Sequence, residues 1–150
     1  MTKTIDQLNS LLRGEISAVE TYKMAIEKLT KASFVSVLRD CLASHERRVT
    51  TLGDEIRKLG GTPAKGSGAW GTFAKLFEGS AAVFGEKAAI AALEEGEDHG
   101  RNDYERELAD MAPPTRQAIE PCYQAELETH AALSNLKKQM KGESPKFGAA

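Results

Sequence analysis

GEISAVETY, residues 14–22, and GEDHGRNDY, residues 96–104, share one pattern: Gly-Glu-x-x-small-x-x-x-Tyr. Each copy sits inside a run of apolar residues at helical spacing. Around the first, Ile5, Leu8, Leu12, Val19, Tyr22, Ile26 and Leu29 recur at steps of three and four with one gap, at Glu15. That is the stripe of an amphipathic helix, expected over about 5–30, with Thr4 and Gln7 as a capping box. Around the second, Ile90, Leu93, Glu97, Gly100, Tyr104, Leu108 and Met111 predict a helix over about 82–112, stopped by Pro113-Pro114. In both copies the Glu points inward and the small residue lets a neighbouring helix approach. The Tyr follows seven residues later on the same stripe. Two such copies in matching helices read as two related halves.

Working outward, each half gains a partner helix. Ser33 is a good cap for a second helix, whose stripe is Leu38, Leu42, His45, Val49, Leu52, Ile56 and Leu59, with Gly60-Gly61 as its stop and Pro63 beyond. So short a link between the first two helices makes them an antiparallel hairpin. The fourth helix starts near Thr115 and carries Ile119, Tyr123, Glu126, His130, Leu133 and Met140. Pro121 should kink it or mark its first turn. Residues 60–80 read as a long connection with one short helix. Its Trp70, Phe73, Leu76 and Phe77 either anchor the crossover on the bundle or form an exposed dimer patch. The fold expected is all-α: two antiparallel hairpins joined by a long crossover, the ferritin-like form of a four-helix bundle. Residues 1–141 make the bundle and 142–150 a flexible tail.

A chain of 150 residues with a net charge of −2 has a core of its own and no basic excess, which argues against a nucleic-acid binder. No apolar run is long enough for a membrane span, and no signal peptide is visible. A cytoplasmic location is expected. Two cysteines, Cys41 and Cys122, make no disulfide framework and read as small buried residues. Cys41 with His45 lacks the orienting group a nucleophile needs. The G-x-G-x-x-G at residues 66–71 lacks the preceding strand of a dinucleotide site, so no organic cofactor is expected.

The informative residues are the polar ones on apolar stripes: Glu15, His45, Glu97, Glu126 and His130. Charged groups point inward only when paired or ligated, because desolvation costs several kcal/mol. Their heights agree. At 1.5 Å per residue, Glu15 and His45 lie about 24 and 18 Å above the first turn, and Glu97 about 22 Å from the same end if the connection crosses over. Carboxylates and imidazoles from four helices therefore meet in one layer, a donor set suited to iron, manganese or zinc.

Glu15-x-x-Ala18-x-x-x-Tyr22 resembles the first-helix signature of bacterioferritin- and rubrerythrin-type proteins, and Glu97-x-x-Gly100-x-x-x-Tyr104 resembles its third-helix counterpart. The LGGTP after the second helix and the double proline before the fourth are most similar to a bacterial ferritin-like group, the "domain of unknown function 2383" family. The resemblance covers roughly residues 4–140. It implies a di-iron centre with the two Glu as terminal ligands and the Tyr nearby, and subunits that pair as dimers. The chain departs from it in one respect. Di-iron relatives carry E-x-x-H on the second and fourth helices, whereas this sequence has His45-x-x-Arg48 and Glu126-x-x-x-His130. Arg has donors only and cannot ligate. Two readings follow. In one, Glu15, His45, Glu97, Glu126 and His130 hold iron or another transition metal, as one ion or two, with Tyr22, Arg48 and Tyr104 bonded to the ligands. In the other the site is degenerate and metal-free, filled by a Glu/Arg/His network, and the bundle acts through oligomerisation or a partner. Neither reading assigns a catalytic residue.

Overall fold

The computed structural model describes residues 2–68 and 71–149, and side chains outside 71–84 and 141–149. Four helices account for the regular structure among them: α1 (Thr2–Lys28), α2 (Ala32–Lys58), α3 (Gly71–Ala109) and α4 (Pro113–Ala149). α1 packs on α2 and α3, and α4 packs on α2 and α3, so the helices run α1, α2, α4, α3 around the bundle. The first turn, Leu29–Lys31, and the second, Asp110–Ala112, are short, so both helix pairs are hairpins. The connection from α2 to α3 joins diagonal positions, which is why it is long. No described helix is long and apolar enough to cross a membrane.

Several helix ends differ from expectation. α1 begins at Thr2, so Thr4 lies inside it and forms no capping box; Gln7 instead donates from Nε2 to the Asp110 carbonyl at 3.4 Å. The N-cap of α2 is Lys31, not Ser33. Its carbonyl accepts from the amides of Phe34 and Val35, and its side chain makes no cap bond. The double proline opens α4 rather than merely ending α3: Pro113 and Pro114 fill first-turn positions whose amides would have no partner anyway. α4 then runs through Pro121 as one helix.

The glycine stop of α2 takes the expected form. Gly60 has φ 84°, its amide donates to the Arg57 carbonyl at 3.0 Å, and that of Gly61 to Ile56 at 2.9 Å. This is a Schellman closure. Gly85, at φ 76° and ψ −152°, interrupts α3 and divides a helix in the crossover from the one that enters the bundle. The division expected near Ala82 thus falls at Gly85. The aromatic patch Trp70, Phe73, Leu76 and Phe77, and the tail at 142–150, concern side chains outside the described residues.

The core is layered. One apolar cluster, with Ala25, Phe34, Leu38, Ile90, Leu93, Leu133 and Leu136, fills the end near the first turn. A second, with Leu8, Leu12, Leu52, Ile56, Leu108 and Ile119, fills the other end. Each fully buried Leu, Ile or Phe side chain among these contributes about 1.5–3 kcal/mol. Between the two clusters the same stripes carry Glu15, His45, Arg48, Glu97, Glu126 and Thr129, all buried. The apolar layers hold this polar one in the dry.

Candidate metal centre

His45 is the hub. Its Nδ1 lies 2.5 Å from Glu15 Oε1 and its Nε2 2.8 Å from Glu97 Oε2. A neutral imidazole has one N–H and would leave a lone pair facing a carboxylate, so both contacts are satisfied only by the imidazolium. Burial by itself lowers the His45 pKa, but the charges of Glu15 and Glu97 and their hydrogen bonds outweigh it and raise it. Arg48 is the second cation, 2% exposed. Its Nη1 donates to Glu15 Oε2 at 3.1 Å and Glu126 Oε1 at 2.8 Å, and its Nη2 to Thr129 Oγ1 at 3.0 Å and Ser44 Oγ at 3.2 Å.

The two halves cross. Tyr22 donates its phenol to Glu97 Oε2 at 2.5 Å, and Tyr104 donates to Glu15 Oε2 at 2.6 Å. Each Tyr of the repeat therefore bonds the Glu of the other copy. Cys41 and Cys122, each four residues before a site residue on its own helix, interact with Tyr22 and Tyr104 respectively. Burial, above all, pushes both thiols up to about 12, so they stay protonated and inert as nucleophiles. Burial also raises both phenols, as do the neighbouring Glu charges.

The three carboxyls differ in protonation. Burial disfavours ionisation at Glu15 and Glu97, but Arg48 and His45 hold Glu15 below the usual carboxylate range, and His45 does the same for Glu97. Glu126 is pushed well above that range, first by burial and then by the charge of Glu97 beside it. A protonated Glu126 leaves two carboxylates against His45 and Arg48, and the layer is neutral. Glu126 Oε2 meets no hydrogen-bond donor; its own proton is shared with the Glu97 carboxylate beside it, which also raises the pKa of Glu126 and lowers that of Glu97. Glu126 lies against Gly100, where a Cβ would sit 3.0 Å from Oε1 and 3.2 Å from Oε2. The glycine of the repeat makes room for this carboxyl as well as for a helix.

The structure brings together Glu15, His45, Glu97 and Glu126, with Tyr22, Arg48 and Tyr104 bonded to them. It does not bring in His130, which is a correction to the stripe drawn for α4. That ring sits half-buried at the bundle edge with Nε2 2.6 Å from Asp98 Oδ1. The buried face of α4 is Ile119, Cys122, Glu126, Thr129, Leu133 and Leu136, one residue earlier than expected at two of its positions. Thr129 takes the place assigned to His130, with Oγ1 2.8 Å from Glu97 Oε1. The signal was present: Thr129 is three residues after Glu126, as Arg48 is three after His45, which is the spacing of E-x-x-H.

One ligand atom from each of Glu15, His45 and Glu126 can be chosen so that all lie within 4.8 Å of one another. Beside them is a cavity of about 40 Å³, lined also by Tyr22, Glu97, Gly100 and Tyr104. That donor set of two carboxylates and an imidazole suits a first-row divalent cation. It does not suit a pair of ions. Where the second E-x-x-H histidines would stand are Arg48, a fixed cation, and Thr129.

Comparison with known proteins agrees with the fold. One solved structure, a two-domain protein from Anabaena variabilis containing DJ-1/ThiJ/PfpI-like and ferritin-like domains, superposes with a TM-score of 0.75 at 15% identity, over 93% of this chain and 37% of that one. The chain thus spans little more than a third of that protein, and the likeness is one of fold. No curated protein matches. The model of the domain of unknown function DUF2383 matches residues 3–110, from α1 through the end of α3. With ferritin-like topology and the paired Glu and Tyr of α1 and α3 both in that span, the chain belongs to the DUF2383 family.

Proposed function

We propose that this bundle binds a single divalent transition-metal ion, iron, manganese or zinc, through Glu15, His45 and Glu126, with Glu97 beside them. The observation that carries the reading is the convergence of three ligand atoms within 4.8 Å at a cavity where Glu126 Oε2 has no donor. A bound ion of this class supplies Lewis acidity and, for iron or manganese, one-electron chemistry. The chain's own residues do the rest. Tyr22 and Tyr104 hold Glu97 and Glu15 in place, and Arg48 neutralises the third carboxylate so that one dication suffices.

Charge balance makes the reading testable. Without metal, protons on His45 and Glu126 complete neutrality. With three ionised carboxylates, Arg48 and a dication, both protons must leave. Metal uptake should therefore release about two protons, and the affinity should rise about a hundredfold per tenfold fall in proton concentration near neutral pH. Titration with Zn²⁺ and Fe²⁺ in a weakly buffered pH-indicator solution checks the number, and a metal-dependent rise in Tm checks the linkage. Binding that is proton-independent, or absent, would overturn it.

Burial of Arg48 among Glu15, Glu126 and Thr129 favours a second reading: a permanently closed network in a non-catalytic bundle acting by self-association or through a partner. Absence of metal uptake at any pH, with the folded state intact, would select it.

A further inference from the structure

The cavity at the carboxylate layer is not central. Its inner wall is Glu15, His45, Glu97 and Glu126, all buried, while Gly14, Ala18, Gly96, Gly100 and Asp103 on its outer wall are only half-buried and belong to α1 and α3. It is therefore open on the α1–α3 side. The other approaches are closed. Apolar clusters cap the layer towards both ends of the bundle. On the α2–α4 side stands Arg48, bonded to Ser44 and Thr129, which repels any cation. Small residues alone would mean no more than a close helix contact. Here a second feature points to a ligand: Glu126 is 2% exposed, lines this cavity, and its Oε2 has no donor.

We propose that the gap between α1 and α3 is the port through which a divalent cation enters and leaves, passing half-buried Asp103 on the outer wall before it reaches the inner carboxylates, Glu126 among them. The inference rests on the metal reading above and adds the path. The cavity of about 40 Å³ has room for an ion carrying a few waters but not for a complete hydration shell. Loss of hydration water at the lip, where Gly14, Ala18 and Gly96 leave space, then sets the loading rate. A bulky side chain on that lip would slow entry and exit together without touching a ligand.

The test is stopped-flow loading of the full chain with Co²⁺, whose visible absorption reports coordination, followed by chelator-driven release. Ala18→Leu should slow association and dissociation at least tenfold each, with Kd changed less than twofold. Gly14→Leu, one turn earlier on the same lip, should do likewise and serves if Ala18→Leu fails to fold. Ala125→Leu, a half-buried position of α4 that does not line the cavity, should change neither rate. Wild-type loading rates in both folded plugs would overturn the port while leaving the metal reading standing, as would a changed Kd at an unchanged association rate. If the wild-type chain takes up no Co²⁺, the metal reading fails and the port falls with it.

Discussion

Arg48 decides the character of the centre. It is enclosed by Glu15, Glu126, Thr129 and Ser44, so truncating it strands the carboxylates it serves. Arg48→Ala should cost about 3–5 kcal/mol in urea unfolding of the metal-free protein, whereas removing an exposed cation such as Lys3, paired with Asp110 at the surface, should cost less than about 1 kcal/mol. The tyrosines allow a paired comparison. Tyr22→Phe and Tyr104→Phe each remove one donor from an ionised buried carboxylate, worth about 1.5–3 kcal/mol, and the pseudo-symmetry implies similar losses. A negligible effect from either, measured the same way, would mean that its carboxylate is held by other groups. At this scale the sequence revealed most of the centre. Glu15, His45, Glu97 and Glu126 interrupt apolar stripes, and a charge on a stripe has to be explained. His130 lies outside the centre because α4 turns Thr129, one residue earlier, onto the buried face, and threonine is too common a residue on a helix to mark that face in the sequence.

At the scale of elements, the stripes were legible and their rotation was not. On α2 the buried face uses Cys41 and Arg48 where Leu42 and Val49 were expected, and α1 buries Leu11 and Ala25 while Val19 and Ile26 are only half-buried. Steps of three and four are interchangeable from sequence alone, so adjacent positions compete for the core and only the neighbouring helices decide. Terminal signals divide in the same way. Gly60-Gly61 was readable because a left-handed residue demands glycine, while Lys31 as N-cap carries no side-chain signature. The two glycines should fail differently. Gly60, at φ 84° with nothing within 4 Å of a Cβ, should lose about 1–2 kcal/mol as Gly60→Ala and recover part of it as Gly60→Asn, which tolerates that conformation. Gly61→Ala brings a Cβ to 2.8 Å from Ile5 and 3.0 Å from Ile56. Gly61→Asn should be no better, because its difficulty is crowding. Thermal melts of the four variants separate the two causes.

For the whole molecule, the buried layer shapes stability against pH. Glu15 and Glu97 have folded pKa values below 4.5; their contribution is present above 4.5 and lost as pH falls towards those lowered values. Glu126 is raised above 4.5 and His45 above 6.5. Their contributions are complete below 4.5 and 6.5 respectively and are lost as pH rises, at about 1.4 kcal/mol per unit for each group titrating. With a chelator present, unfolding free energy should therefore peak near pH 4.5–5, decline above it, and decline more steeply above 6.5. Glu126→Gln should flatten the segment between 4.5 and 6.5. A wild-type stability that climbs steadily from pH 5 to 8 would contradict this assignment of protons.

The crossed hydrogen bonds of the repeat have a consequence for assembly. Tyr22 serves Glu97 and Tyr104 serves Glu15, while His45 reaches Glu97 and Arg48 reaches Glu126 across the same boundary. A lone α1–α2 hairpin would keep its own Glu15 but leave its phenol without an acceptor, and an α3–α4 hairpin would hold Glu97 and Glu126 with no cation at all. Neither half can dry its centre before docking on the other. The duplication visible in the sequence has thus produced two pieces that are incomplete separately, and unfolding should proceed as one event in which both halves dissolve together.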